Sequence, residues 1–154
     1  MKKILFVLLP ILLLGAGCRS ISPTNLPGAK ASADLSYKNL NKIQPEFFND
    51  SSIKELNLSH NNLTGALPAE IRKLTELKKL DISYNKMTGL PAELGQLSNL
   101  ESLDVSYNQL TGLPYEIGNL KKLKIMNLTG NKYSVQDLEH IKKDLPETTF
   151  ITGN

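Results

Sequence analysis

Residues 77–99 read LKKLDISYNKMTGLPAELGQLSN, and residues 100–122 read LESLDVSYNQLTGLPYEIGNLKK. A third copy, IKELNLSHNNLTGALPAEIRKLTE over residues 53–76, carries one additional residue, Ala66, and a fourth copy begins at Leu123. The copies start at 53, 77, 100 and 123, so the successive periods are 24, 23 and 23 residues. Such a fixed period predicts a repeat architecture in which each copy is one structural unit that stacks on the next.

Each copy carries apolar residues and one asparagine in the pattern L-x-x-L-x-L-x-x-N-x-L. In one copy these positions hold Leu100, Leu103, Val105, Asn108 and Leu110. The pattern resembles the repeat core of the leucine-rich-repeat family, over about residues 30–145. The resemblance implies an α/β fold, a right-handed solenoid curved like a horseshoe, with a parallel β-sheet on the concave face and short helical turns on the convex face.

The two halves of each copy have different side-chain periods. Residues two apart on a strand point to the same side of a sheet, so Leu80 and Ile82 are predicted to face the core and Asp81 and Ser83 the solvent. The second half reads L-P-x-E-[IL]-x-x-L, in which proline suits the first position of a helix because its missing N–H costs little there. These prolines are Pro68, Pro91 and Pro114.

One asparagine per copy is predicted to be structural. After each strand the chain turns inward, and backbone groups at the turn lose their partners in the sheet. A side-chain amide both donates and accepts hydrogen bonds, so a stacked column of amides can satisfy these groups. The column consists of Asn61, Asn85, Asn108 and Asn131.

Residues 1–17 are predicted to be a signal peptide that is removed from the mature protein. Lys2 and Lys3 form a basic start, an apolar run extends over residues 4–14, and residues 15–17 (Gly-Ala-Gly) supply the small side chains of a cleavage site. The apolar run is too short for an ordinary membrane-spanning helix, which needs about 20 residues. Cleavage removes two of the 18 basic residues and none of the 15 acids, which lowers the formal net charge from +3 to +1.

Cys18, the only cysteine, is predicted to carry a lipid anchor. Its position after Gly-Ala-Gly resembles the lipobox of bacterial lipoproteins, although that family prefers leucine three residues before the cysteine, where Gly15 stands. Ordinary secretion with a free cysteine is the alternative, but a lone thiol is a liability in an oxidising compartment. Residues 18–29 are then the lipidated cysteine and a flexible tether. The expected location is the membrane of a bacterial cell envelope, or the cell surface.

Residues 30–154 are predicted to form the leucine-rich-repeat domain. The N-terminal cap coil spans 30–52, the repeats span 53–76, 77–99, 100–122 and 123–145, and a C-terminal cap spans 134–154. In the cap coil, Ala33 and Lys38 replace a leucine and an asparagine of the repeats, which predicts a solvent-facing end. In the C-terminal cap, Ser134 begins a helix with a capping-box-like pattern, Pro146 ends that helix, and residues 148–151 are predicted to be a last short strand.

The predicted concave face carries a strip of aromatic side chains at one position of the repeat. Its members are Tyr37, His60, Tyr84 and Tyr107, and the copy that begins at Leu123 has Gly130 at this position. Aromatic rings on an exposed surface supply large and stiff contact areas and are enriched at binding hot spots. The strip is therefore predicted to contact a protein partner. The alternative is that the rings only cover the sheet and stack on one another.

Two acids are expected to be neighbours on adjacent strands of the same face. Asp81 and Asp104 occupy equivalent positions of successive copies, and like charges directly opposite each other destabilise a sheet. Lys78 or Lys79, a bound cation, or a basic group of the partner is expected to offset the repulsion. The simpler alternative is that both acids are solvated. The pair is included in the predicted partner-binding strip.

The sequence predicts a protein that is not an enzyme and that binds no cofactor, metal ion or nucleic acid. The chain has two histidines, His60 and His140. A set of His60, Ser83 and Asp81 would lie on an open sheet without oxyanion donors, so catalysis is not expected. The chain has neither a compact oxygen-ligand loop for calcium nor a dense basic cluster with interleaved aromatics.

These features together predict a monomeric, lipid-anchored protein-binding module of the bacterial envelope that recognises a protein ligand through its concave face. The alternative is a structural or glycan-binding envelope protein without a host-directed or signalling role. The two alternatives share the same fold, because fold alone does not determine function.

Overall fold

The computed structural model describes residues 20–21 and 32–153. The predicted signal peptide over residues 1–17, the predicted lipidation site Cys18 and most of the predicted tether lie outside the described residues. No helix in the described part of the chain is long and apolar enough to cross a membrane.

The described residues form short strands of two or three residues each. They are β1 (Ser20–Ile21), β2 (Ser32–Asp34), β3 (Lys42–Ile43), β4 (Glu55–Asn57), β5 (Thr64–Gly65), β6 (Lys79–Asp81), β7 (Lys86–Met87), β8 (Ser102–Asp104), β9 (Ile125–Asn127) and β10 (Thr149–Ile151). Six of them form one parallel sheet in the order β10-β9-β8-β6-β4-β2. Its register pairs equivalent residues of successive copies, as with Leu80 and Leu103. This sheet confirms the predicted solenoid.

A short 3₁₀ helix packs across the core from the sheet in each of four coils. These helices span Pro45–Asn49, Ala69–Lys73, Ala92–Gln96 and Tyr115–Asn119. The prediction that Pro68, Pro91 and Pro114 occupy the first helical position is wrong, because each is the N-cap residue, with an extended ψ of 144°, 142° and 133°. As N-cap residues they offer a carbonyl to the first helical hydrogen bond, as from Ile71 N to Pro68 O at 3.1 Å.

The C-terminal end is closed by the helix α1 (Val135–Asp144) and by β10. The Ser134 hydroxyl caps α1 by accepting a hydrogen bond from Asp137 N at 3.3 Å. The helix buries Leu138 and Ile141 against the last coil. The chain then returns to the sheet, where β10 pairs with β9.

The N-terminal end differs from the prediction at two places. Ala33 is not solvent-facing: it is 4% exposed and is the register partner of Leu56, so its methyl group belongs to the core. The predicted tether is also not free along its whole length, because β1 (Ser20–Ile21) pairs with β3 in parallel. Backbone pairing of this kind needs no apolar periodicity in the sequence, and none is present there.

Candidate partner-binding face

The asparagine column lies at the inner edge of the turns that follow the strands. Asn108 Oδ1 accepts a hydrogen bond from Met87 N at 2.9 Å, and its Nδ2 donates to Ile82 O, Val105 O and Ser106 O at 2.9–3.2 Å. The same pattern of one accepted and three donated bonds recurs at Asn85. The amides therefore tie neighbouring coils together and hold the turns that present the side chains of the concave face.

The term concave face is used here for the solvent-facing side chains of the six-stranded sheet together with the turn residues directly after its strands. A groove of about 380 Å³ lies over part of this face. It is lined by residues of β2, β4, β6 and β8, among them Asp34, Asn57, Asp81 and Asp104. An acidic row thus runs along the centre of the face.

The two central acids are register partners on β6 and β8, as expected. Each carboxylate accepts two hydrogen bonds from the serine two residues on: Asp81 Oδ1 from the Ser83 backbone N at 2.9 Å and hydroxyl at 2.6 Å, and Asp104 Oδ1 from the same groups of Ser106. Asp104 Oδ2 accepts a further bond from Asn127 Nδ2 at 3.0 Å. These hydrogen bonds hold both carboxylates in fixed orientations on the face.

The expected offset of these acids by Lys78 or Lys79 is wrong. Lys79 pairs with Glu55 at 2.8 Å, and the closest carboxylate oxygen to Lys78 Nζ belongs to Glu101, at 3.9 Å. Side chains at equivalent positions of adjacent strands lie side by side. The lysines at the start of a strand therefore contact the acids at the start of the neighbouring strands. Only the fold shows which row each charge joins.

The arrangement of Ser83 does not suit nucleophilic catalysis. Ser83 is buried, and its hydroxyl donates a hydrogen bond to the Asp81 carboxylate. A serine nucleophile needs a base such as histidine in that place. The His60 ring is held in a stack of aromatic side chains. The hydrogen bond between His60 and Ser83 is a backbone bond, from His60 N to Ser83 O. Ser83 therefore shapes the turn that follows β6.

Four aromatic side chains form a continuous stack along the edge of the concave face, which we call the aromatic ladder. The ring centroids of Tyr37 and His60, and of His60 and Tyr84, are 4.3 Å apart, and those of Tyr84 and Tyr107 are 4.4 Å apart. The interplanar angles of 9°, 9° and 19° show that the rings stack face to face. The structure thus brings the sequence-predicted aromatic residues into direct contact.

The aromatic residues were predicted from the sequence to lie on the sheet. In the structure, the ladder lies in the turns after the strands. Its residues follow the strands by three positions and adopt positive φ angles of 54°, 53°, 52° and 52° for Tyr37, His60, Tyr84 and Tyr107. The left-handed region costs a bulky residue about 1 kcal/mol or more, whereas glycine adopts it freely. Gly130 has a φ of 73° at the equivalent position of the next coil. The ring stacking therefore offsets a backbone strain that glycine would avoid.

The ladder presents ring edges and hydroxyl groups to the solvent, because stacking covers most of the ring faces. Tyr84 and Tyr107 are 46% and 47% exposed. Partial burial in the stack raises the pKa of the Tyr84 hydroxyl, and Tyr107 and Asp104 raise it further.

A second groove beside the acidic row was missed by the sequence analysis, which examined only columns at and after the centre of each strand. It has a volume of about 640 Å³ and lies at the start of the strands. Its lining includes Lys54, Lys78, Lys79, Lys124, Glu55, Glu101 and Ile125. The sequence does contain a sign of this groove, because successive copies carry a lysine at the first residue of the strand or directly before it.

The convex side carries one exposed tyrosine that serves as a reference. Tyr115 begins the fourth 3₁₀ helix and is 52% exposed, similar to Tyr84 and Tyr107. Its ring stacks on His140 of α1 at 4.3 Å. His140 is exposed on α1. Tyr115 is therefore a stacked and exposed tyrosine outside the concave face, which makes it a matched control.

Comparison with known families identifies the repeat. A family model described as a leucine-rich repeat region matches residues 36–145. Among curated proteins no sequence matches the chain significantly.

Solved structures with the same architecture come from bacteria and plants. A leucine-rich-repeat protein of Leptospira interrogans is 40% identical with a TM-score of 0.66, over 71% of this chain and 28% of that chain. The leucine-rich-repeat ectodomain of the receptor kinase SOBIR1 from Arabidopsis thaliana is 30% identical with a TM-score of 0.63, over 79% of this chain and 68% of that one. A plant peptide hormone receptor, RGFR1, in complex with RGF2, is 27% identical with a TM-score of 0.60, over 73% and 19%. This chain thus spans little more than a quarter of the Leptospira structure.

Proposed function

The chain belongs to the leucine-rich-repeat family, and from this we propose that it is a non-enzymatic binding module that recognises a protein partner through its concave face. Proteins of this family generally act in protein–protein binding and are typically not enzymes. One similar structure is a peptide hormone receptor in complex with RGF2. The partner of the present chain is proposed from its own surface.

The observation that carries the proposal is the aromatic ladder. Four successive coils place an aromatic side chain at a backbone position that strains any residue except glycine. This cost in backbone strain is repeated in every coil of the ladder, and stacking between the rings offsets it. Such rigid, half-exposed rings lose little conformational entropy when a partner binds.

The ladder geometry favours a protein over a glycan as the partner. Sugars pack on the faces of aromatic rings through their apolar sides, but the faces of His60, Tyr84 and Tyr107 are covered by the neighbouring rings or by Gly130, whose added Cβ would lie 2.8 Å from the Tyr107 ring. Ring edges and hydroxyls instead suit the mixed polar and apolar surface of a protein. The adjacent Asp81 and Asp104 add negative charge that attracts a basic partner.

Replacing Tyr84 and Tyr107 together by alanine is expected to weaken partner binding by at least about 2 kcal/mol, which is about thirtyfold in Kd. Alanine keeps the strained φ without the stacking, so some stability is lost as well, and circular dichroism first checks that the double variant is folded. The partner is obtained by crosslinking to the mature chain in cells, and titration calorimetry then compares the wild type with the double variant. Raising the salt concentration weakens binding further if Asp81 and Asp104 take part.

Tyr115→Ala is the control for this titration, since it removes an equally exposed and stacked tyrosine from the convex side. Its affinity should match that of the wild type. If Tyr115→Ala abolishes binding while the double variant binds normally, the convex side is the working surface. A partner from the host would indicate an adhesin, and a partner from the cell envelope would indicate an envelope structural protein.

We further propose that the module is exported and anchored to a bacterial membrane by lipidation of Cys18. The support is the basic start, the apolar run and the small residues before this single cysteine. Two hydrophobic chains give stable attachment where one gives only marginal binding, so we expect a diacylated cysteine. The anchor would hold the repeat domain at the membrane surface.

The variant Cys18→Ser is expected to lose the anchor. The protein should leave the membrane fraction or accumulate as an unprocessed precursor, because the thiolate sulfur is the atom that receives the lipid. Detergent phase partitioning and mass spectrometry of the mature N-terminus measure this directly. An unmodified Cys18 in a normally processed wild-type chain contradicts the proposed anchor and leaves the binding proposal standing.

A further inference from the structure

The first coil has two backbone carbonyl groups without a described hydrogen-bond donor. The equivalent carbonyl groups of every later coil accept a hydrogen bond from the coil before. In the coil of β6, Asp81 O accepts a bond from Leu58 N at 2.7 Å and Ser83 O accepts one from His60 N at 3.1 Å, both from the coil before. The same pair of bonds recurs at each later coil as far as Asn127 O and Thr129 O. The equivalent atoms of the first coil are Asp34 O and Ser36 O, to which no described residue donates.

Ser36 O lacks a second donor as well. In the later coils an asparagine side chain donates to the equivalent carbonyl, as Asn85 Nδ2 does to Ser83 O at 3.0 Å. In the first coil this asparagine is replaced by Lys38, which is exposed. The open side of β2 therefore presents two backbone acceptors at alternate residues, which is the spacing that an added strand requires.

The aromatic ladder is open at the same end. Tyr37 has one face stacked on His60 at 4.3 Å, yet it is 72% exposed, far more than Tyr84 or Tyr107. The far end of the ladder is closed, because Gly130 lies against the Tyr107 ring. The uncovered face of Tyr37 and the two acceptors belong to the same coil and face in the same direction, away from the solenoid.

In the 23-residue register of the first two coils, the residues that would pair with this edge belong to the predicted signal peptide. The pairing of Ser32 with Glu55 sets a spacing of 23 residues between the first two coils. One such spacing before residues 32–37 lie residues 9–14, inside the predicted signal peptide, and they include Pro10, which has no N–H. This step rests on the processing proposed above, and it leaves the edge to a second molecule.

We propose that the open edge of β2 binds an extended segment of a partner protein, which adds to the sheet as a parallel strand and stacks a planar side chain on Tyr37. An added strand supplies the two N–H groups that Asp34 O and Ser36 O lack. An aromatic ring or an arginine guanidinium suits the Tyr37 face because both are flat. This site lies at the end of the sheet and is separate from the surface centred on Tyr84 and Tyr107.

A peptide that copies residues 77–85 (LKKLDISYN) is the probe, because in the protein this segment donates the same two bonds, from Ile82 N and Tyr84 N to the next coil. The blocked peptide is titrated into isotope-labelled mature chain and followed by amide NMR signals. We expect saturable shifts at residues 32–37. A peptide N-methylated at the two donor positions keeps the side chains but loses the bonds, and should bind about tenfold more weakly.

Protein variants separate this site from the concave face. Tyr37→Ala should weaken binding of the unmodified peptide about fivefold, whereas Tyr115→Ala should leave it unchanged. Equal binding of both peptides, or shifts centred on Tyr84 and Tyr107, overturns the proposal. Self-association of the mature chain that Tyr37→Ala abolishes, measured by sedimentation, overturns it too, because a second copy is then the occupant. Mass spectrometry of the N-terminus tests the processing step separately.

Discussion

Leu103→Ala is expected to lower the free energy of unfolding by about 2–5 kcal/mol. Leu103 is 1% exposed and is the central residue of β8, where it lies between Leu80 of β6 and Met126 of β9. Truncation leaves a cavity that a rigid stack of coils cannot close, because the backbone bonds on both sides fix the spacing of the strands. Urea denaturation followed by circular dichroism measures the change.

The control for this experiment is Ser102→Ala, which changes the preceding residue of the same strand. Ser102 points to the opposite side of the sheet, and its side chain is partly exposed, so the substitution should cost less than about 0.5 kcal/mol. Leu103→Met, which nearly conserves the volume, should cost less than about 1.5 kcal/mol. Similar losses for Ser102→Ala and Leu103→Ala would contradict the strand register.

Asn108→Ala is expected to cost about 3 kcal/mol although it removes a polar side chain. The substitution strands the Met87 N–H, which lies in the interior and has the Asn108 Oδ1 atom as its partner, and it removes the donor shared by three backbone carbonyls. A buried group left without a partner loses its hydration without compensation. The same denaturation experiment applies, and hydrogen exchange should show that protection is lost first at Met87.

Asn119→Ala is the matched control, because Asn119 is an exposed asparagine at the end of the fourth 3₁₀ helix. It should change stability by less than about 0.5 kcal/mol. Asn108→Asp is the sharper test: it keeps the acceptor for Met87 N but places a carboxylate against three carbonyl oxygens. A stable Asn108→Asp variant would show that the three donated bonds contribute little.

The aromatic ladder was predictable from the sequence in composition but not in geometry. The repeat period placed Tyr37, His60, Tyr84 and Tyr107 in one column, because equivalent residues of stacked coils must be neighbours. The sequence contains no sign that these residues leave the sheet and adopt positive φ, since that follows from how the chain turns toward the asparagine column. The sequence therefore predicted their column but not their backbone conformation.

The partners of the charged side chains were also decided by the tertiary structure. From the sequence, Lys78 or Lys79, a cation and a basic group of the partner were all possible offsets for Asp81. The structure satisfies Asp81 with Ser83 and pairs Lys79 with Glu55 of the previous coil. Several partners lie within reach of a flexible lysine, and their energies differ by only a few tenths of a kcal/mol. A repeat pattern does not rank such alternatives.

The sequence by itself determined what repeats: the period, the side of each strand that is buried, and the amides that hold the turns. These follow from local rules that every copy obeys, and copies in phase reinforce one another. The tertiary structure decided what occurs once or lies between coils, such as the burial of Ala33 or the contact at Gly95, where an added Cβ would lie 2.2 Å from Glu116 O. The physical reason is that such contacts depend on the distance between coils, and packing across the whole stack sets that distance.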